Sequence, residues 1–562
     1  MNRRELMTAT AAVAGATLAS RAAFAAPGDG IVHGGMAGRD YAPAVAAVRA
    51  YAEQHRAAHS IPGMTIAMVD RDGFVGLIHS GLADVDERVA VGPEHLFQIG
   101  SISKQLAALC AFRLRAMGRI DFGAEVAGLL PGAGVPAGIT LAHLLEHSSG
   151  LADDVPLFAR ATGGRLWQAY EPRTHWSYSN TGYDLIGKCI ERATGRPFEA
   201  VVRELVFVPL GMDAAQGAIR GKERARYAEG YRPYVADRPW ADGDRLGVSA
   251  WVDMTFASGC VAATGRNMAR YLAWLTQASV GRGAPLLSDA DARAFTTATI
   301  DAPGWAGGGR YGNGLATVVV DGRTMLHHTG GMIAFSSSMH VDPAAGVACF
   351  ASTNIGSTEY RPRDVTILAC EWLRAVREGG AAPVARPVRA VFEKAGDYAG
   401  RYSSADGLFE MSLDGDRLRA SSNGRVHRSV SSPGADVLLI DGFGRYLLKA
   451  ERSGGRVIGL WSGETYYARD GAEPMPPAPP ELAVIAGRYD NDDPWRGTAR
   501  VVARHDGLWL DGITPMVRRD DGSWRVGADD WSPERAWFDA PMGGRPQRLS
   551  LSGADYLRRT DV

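Results

Sequence analysis

The tetrapeptide Ala399-Gly400-Arg401-Tyr402 returns as Ala486-Gly487-Arg488-Tyr489, 87 residues further on. Each copy also closes alike, on Tyr467-Ala468-Arg469 in the first and Tyr556-Leu557-Arg558 in the second, 65 and 67 residues after its opening tyrosine. Between these ends lie short alternating runs broken at Leu413-Asp414-Gly415, Asp441-Gly442, Asp506-Gly507 and Asp521-Gly522, the chemistry of tight hairpin turns. Two copies are too few to stack as a solenoid. The repeat therefore predicts two small antiparallel β-barrel domains, at 386–472 and 481–562. The stretch DGAEPMPPAPP at 470–480 reads as an extended, proline-stiffened linker between them, and 379–383 reads as the linker before the first.

A chain of 562 residues leaves room for a third, larger domain ahead of the repeat, at 26–382. Apolar residues recur at helical spacing over 41–59, 104–117, 141–147, 181–194, 267–277 and 364–376. Two apolar runs, 64–70 and 74–79, flank Arg71-Asp72-Gly73 and read as a hairpin. Further β-rich runs follow at 316–320, 324–328, 336–341 and 347–353. Strands at both ends with helices between predict an α+β domain with a mainly antiparallel sheet. Residues 1–25 read as an address rather than as part of the fold. Arg3-Arg4 precedes a mild, alanine-rich segment and the A-x-A site Ala23-Phe24-Ala25, which points to twin-arginine export and a periplasmic or secreted location.

Charge excludes several function classes. Lys+Arg is 61 and Asp+Glu 62, a net charge of −1, with no basic footprint for nucleic acid and no polybasic membrane patch. No long apolar run follows the leader, so no membrane association is expected after signal cleavage. Five scattered cysteines, without C-x-x-C spacing, argue against a zinc site or a disulfide framework.

Three short motifs carry chemistry. Ser101-Ile102-Ser103-Lys104 places a hydroxyl and an amine one helical turn apart at the start of the 104–117 helix, in a chain with only five lysines. A serine needs a base to become a nucleophile, and a lysine serves if burial lowers its pKa. Tyr178-Ser179-Asn180 and His328-Thr329-Gly330 follow in the same domain. Each is weak alone, since Tyr311-Gly312-Asn313 and His505-Asp506-Gly507 match the same patterns. Their order and shared domain give the set its meaning.

The ordered set resembles that of the penicillin-recognising serine hydrolases, which include class C β-lactamases, D-Ala-D-Ala carboxypeptidases, esterases, D-amino acid amidases and D-aminopeptidases. The flanking segments Leu144-Leu145-Glu146-His147-Ser148-Ser149-Gly150-Leu151, Ser258-Gly259, Tyr311-Gly312-Asn313-Gly314 and Thr353-Asn354 extend the likeness over about residues 40–378. The two trailing β-modules make the chain most similar to the three-domain D-aminopeptidases. The resemblance implies a β-lactamase/transpeptidase-like catalytic domain, with Ser101 as nucleophile and Lys104 and Tyr178 sharing its proton, either one as base. It implies Asn180, His328, Gly330 and Gly331 as substrate-binding residues, with the backbone N–H of Ser101 and Gly331 as oxyanion donors. The chemistry needs no metal and no cofactor.

Position 328 shifts the expected substrate. β-Lactamases and carboxypeptidases usually carry lysine there, and a mostly neutral histidine favours amides, esters or peptides read from the N-terminus. The resemblance then points to the loop Gly527-Ala528-Asp529-Asp530-Trp531-Ser532, with Asp529 and Asp530 placed to bind a substrate ammonium. The expected function is a D-stereospecific aminopeptidase or amidase. An esterase, a weak β-lactamase or carboxypeptidase-like enzyme, and an inactive binder of peptidoglycan-type ligands stand as alternatives. The expected partners are a small peptide, amide or ester and, at most, a second copy of the chain.

Overall fold

The computed structural model describes residues 30–33 and 39–559, except 157–158, 236–237, 241–242, 306–307, 357–359, 389–391, 393, 416, 423–424, 427–429 and 442. The expected export segment, 1–25, lies outside the described residues.

Both ends of the first domain meet in one antiparallel sheet. Gly63–Asp70 pairs with Val75–Asp84 around the Arg71-Asp72-Gly73 turn and, on its other side, with Val347–Thr353 from the far end of the domain. The ladder continues through Phe335–Asp342, Arg323–Met332 and Leu315–Val320 to short edge strands. The three central strands, Gly63–Asp70, Phe335–Asp342 and Val347–Thr353, are buried along their whole length. Helices cover both faces of the sheet, which removes the polar/apolar alternation of a half-exposed strand. Ala42–Ala58 and Arg363–Glu378 pack one face through Val48, Tyr51, Leu368 and Leu373. Ser103–Ala116 and Gly265–Ala278 pack the other through Leu106, Leu109, Leu272 and Leu275. No helix among the described residues is long and apolar enough to cross a membrane.

The repeat turns out to be a closure device. In each unit the opening tyrosine is fully buried and donates its hydroxyl to the carbonyl four residues back: Tyr402 to Tyr398 O and Tyr489 to Ile485 O, both at 2.7 Å. The same tyrosine pairs across the ladder with the closing arginine, Tyr402 with Arg469 and Tyr489 with Arg558. Each arginine donates to the carbonyl of the alanine that opens its signature, Ala399 or Ala486. The glycine beside it leaves room for that arginine, since a Cβ at Gly400 or Gly487 would lie 2.9 Å from the guanidinium and push it aside. First and last strands of each unit are thereby joined.

The two units differ in completeness. The second closes into an eight-stranded barrel from Gly487–Asp490 to Ala554–Arg558. The first is a barrel-like sheet of nine strands whose path ends at Arg425–Val426 and Val430–Gly434, with no ladder joining those ends among the described residues.

Arg504 ties the units together. It is 1% exposed, lies between Trp461 and Trp509 at 4.6 and 4.7 Å, and donates to Gly463 O of the first unit and Gly512 O of the second. The second barrel also docks on the first domain. Arg160 pairs with Asp539 and Asp555, Trp167 Nε1 donates to Pro533 O at 2.7 Å, and Trp495 Nε1 donates to Asp154 at 2.9 Å. Tyr402→Phe and Tyr489→Phe should each cost about 1 kcal/mol in urea unfolding, the net worth of one buried hydrogen bond.

Candidate active site

Ser101 lies in a single 3-10 turn, Gly100–Ile102, that runs straight into the Ser103–Ala116 helix. Lys104 stands one turn along and its side chain folds back toward the helix N-terminus. Its Nζ donates to Ser101 Oγ at 3.0 Å, to Asn180 Oδ1 at 2.5 Å and to Ser258 O at 2.8 Å. Those three acceptors match the three donors of an ammonium group. Lys104 itself is 0% exposed. Burial pushes its pKa down to about 8, against the upward pull of Asp153 and Asp184.

Asn180 opens the Asn180–Thr194 helix, whose N-terminus is capped by Ser179 Oγ accepting from Gly182 N at 3.0 Å. Tyr178 precedes that cap by one residue. Its ring centre is 4.7 Å from Lys104 Nζ, and its phenol lies close enough to the Ser101 side chain to feel it electrostatically. Burial drives the phenol far above its ordinary value, and the Ser101 side chain and the Arg361 charge oppose this only in part. His147 supports the arrangement from below. Its ring lies 4.4 Å from that of Tyr178, and its Nδ1 accepts the Ser179 N–H at 3.1 Å.

Glycines bring the third motif against the serine. The Leu315–Val320 strand stops pairing with Arg323–Met332 at His327, leaving the edge beyond it free for the turn that carries Ser101. A Cβ on Gly330 would lie 1.9 Å from Ile99 O, and a Cβ on Gly100, which has φ +56°, would lie 2.6 Å from Gly331 N. Backbone can pass this close only without side chains. Gly331 N therefore lies against the turn that carries Ser101.

One expectation needs correcting. His328, expected to bind substrate, is 0% exposed and has both ring nitrogens engaged. Nδ1 is 2.6 Å from Thr329 O and so donates to it; Nε2 then accepts from the Tyr311 hydroxyl at 2.9 Å. Trp305 covers the ring at 4.7 Å, and burial with the Lys104 charge pushes its pKa well below the usual range. His328 is a neutral packing and positioning residue rather than a contact for substrate.

Asp529 and Asp530 are exposed, and their carboxylates make no hydrogen bond or ion pair among the described residues. Their loop does reach the first domain, but through Trp531, stacked on His175 at 4.7 Å. The carboxylate that the second barrel brings to the site is Glu534, which accepts from Asp153 N at 2.8 Å and from Ser552 Oγ.

Sequence reasoning missed a half-buried acidic set. Asp153 accepts the Asn180 N–H at 2.6 Å, and Asp184 accepts the Ser258 N–H at 3.1 Å. Burial raises both to about 6, and raises Glu534 to about 7. Asp184 could have been found from its place four residues after Asn180, on the same helix face. Glu534 left no local signal.

A hydroxyl hydrogen-bonded to a buried amine, with a half-buried phenol close by, is an arrangement able to support acyl transfer. The chain belongs to the Beta-lactamase family, whose model matches residues 48–370. It is 32% identical to penicillin-binding protein 4 of Amycolatopsis lactamdurans, over 28% of this chain and 45% of that one. It is 28% identical to a D-aminopeptidase of Gluconobacter oxydans, over 34% of this chain and 40% of that one. The chain thus spans about half the length, or less, of these curated relatives. In structure, the octameric penicillin-binding protein homologue from Pyrococcus abyssi superposes with a TM-score of 0.54 at 20% identity, covering 83% of this chain and 98% of that one, a likeness of fold.

Gly100→Ala should abolish labelling of Ser101 by a fluorophosphonate, since it combines a left-handed φ with a backbone collision. Full labelling would mean that Gly331 can move away without harm.

Proposed function

We propose that the protein is an exported serine hydrolase that works through an acyl-enzyme on Ser101 and releases N-terminal D-amino acids from amides or short peptides. The observation that carries the acyl-enzyme reading is the 3.0 Å contact between Ser101 Oγ and a fully buried Lys104, whose pKa is brought down to about 8. Burial moves the tyrosine the other way. Lys104 is therefore the acylation base and Tyr178 the proton relay.

In this mechanism Lys104 takes the Ser101 proton as Oγ bonds to the scissile carbonyl carbon. The oxyanion is held by the N–H groups of Ser101 and Gly331. The proton passes through Tyr178 to the leaving amine as the C–N bond breaks. Water then attacks the ester, giving one proton back through Tyr178 and Lys104, and Ser101 is regenerated with the free acid.

The D-amino acid reading draws on two supports. Asp153 and Asp184 lie beside Asn180 and Lys104, and the second barrel adds Glu534 against Asp153, an acidic set that suits a substrate ammonium. A relative that shares this family carries D-aminopeptidase activity in its name.

Ser101→Ala should remove all turnover and the fluorophosphonate adduct, and full hydrolysis by that variant would sink the acyl-enzyme. Because the base must be neutral, kcat/KM should climb with pH and level off above about 8, following the lowered Lys104 pKa. Lys104→Arg, which stays charged, should show no such limb and lose at least ~100-fold. A panel of D-alanine p-nitroanilide, p-nitrophenyl butyrate and nitrocefin separates the finer readings. Turnover of the ester alone would replace the aminopeptidase assignment with an esterase.

A further inference from the structure

A cleft of about 410 Å³ opens beside Gly331 where all three domains meet. Arg232, Arg238 and Arg361 of the first domain, Arg445 of the first β-unit and Arg500 of the second barrel line it. Asp511 is the single carboxylate among the lining residues, and it is occupied by the Arg500 N–H at 2.9 Å. Arg238 has its own partner, Asp244.

Arg232, like Arg504, sits without a carboxylate, unlike the enclosed arginines of the first domain that pair with one. Arg377 sits on Asp70 and Asp72, Arg374 on Asp342, and Arg386 on Asp321 and Glu371. Arg232 instead donates to a neutral carbonyl, Pro494 O, at 3.1 Å and makes no ion pair among the described residues. Arg445 makes none either, and is exposed to the cleft mouth. Burial lowers the Arg232 pKa with no carboxylate to offset it. A guanidinium partly removed from water without a counter-charge is costly, and a walled cleft of one sign concentrates its field.

We propose that this cleft seats an anionic group, carboxylate or phosphate, on the substrate whose scissile carbonyl lies at Ser101, with Arg232, Arg445 and Arg500 contributed by three different domains. The proposal rests on the acyl-enzyme reading of Ser101 and extends it to the class of substrate. Gly331 fixes the geometry, since it both lines the cleft and adjoins the nucleophile turn. Guanidinium forks match carboxylate and phosphate oxygens in pairs. The anchoring cation that a neutral His328 does not supply comes instead from arginines that only domain docking brings together.

The test uses the full chain and two esters that differ in charge, p-nitrophenyl butyrate and the mono-p-nitrophenyl ester of glutaric acid. Neither requires D-specificity. The anionic ester should have a kcat/KM about tenfold higher at low salt, a margin that shrinks at ~0.5 M NaCl. Arg445→Gln and Arg232→Gln should each reduce the anionic-to-neutral ratio several-fold, mainly through KM. A wild-type ratio near one, or a ratio that neither variant alters, overturns the proposal. Calorimetry on Ser101→Ala needs no turnover. The α-amides of N-acetyl-D-glutamate or N-acetyl-O-phospho-D-serine should bind more tightly than the uncharged α-amide of N-acetyl-D-glutamine, and the tighter of the two names the group. Equal binding of all three overturns the proposal. Retained anion binding with no ester turnover would sink the acyl-enzyme and leave the cleft standing.

Discussion

The buried ammonium of Lys104 organises the catalytic domain. A lysine with no water around it must find every acceptor within the protein, and its three partners come from three separate segments: the turn at Ser101, the helix start at Asn180 and the loop at Ser258. Holding these together is what turns a serine, an asparagine and a tyrosine distant in the chain into one site. Asp153 and Asp184 draw the charged form back toward stability, so that the amine stays near the balance point between acid and base. The same burial that would be a liability elsewhere is here the source of reactivity.

Around that ammonium the domain is shaped by what it leaves out. Gly100, Gly330 and Gly331 carry no side chains where the sheet edge meets the nucleophile turn, and contact between the two backbones follows directly. Aromatic rings fill the other side: His147, Trp176, Trp305 and Tyr311 pack against Tyr178 and His328 and deny them alternative positions. Rigid packing of this kind holds a proton relay to the short distances it needs.

Part of the site was legible in the sequence for a clear reason. Ser101 and Lys104 are three apart at a helix start, on one helix face, and Tyr178 and Asn180 flank a capping serine whose extended backbone turns both to one side. The repeat was legible too, since Gly400-Arg401-Tyr402 and Gly487-Arg488-Tyr489 mark the same strand closure twice. His328 misled because the type of residue suggests contact with substrate, whereas its burial and its two engaged nitrogens depend on Trp305 and Tyr311, which no local pattern links to it. Asp529 and Asp530 stand differently, exposed and without a protein partner for their carboxylates among the described residues. A loop of the expected kind does approach the first domain, with Trp531 stacked on His175 and Glu534 reaching Asp153 N while the aspartates face water.

Sequence alone determined the features set by spacing within one element: the helices and strands of the first domain, the serine–lysine pair on one turn, and the doubled β-unit behind it. Tertiary structure decided whatever depends on charges far apart in the chain. Glu534 meets Asp153, and Arg232 meets Pro494 near Arg445 and Arg500, only because the barrels dock on the catalytic domain. Coulomb energy and desolvation act through space and not along the chain, so the acidity of the inner pocket and the cationic wall of the cleft have no signature in any single stretch of residues.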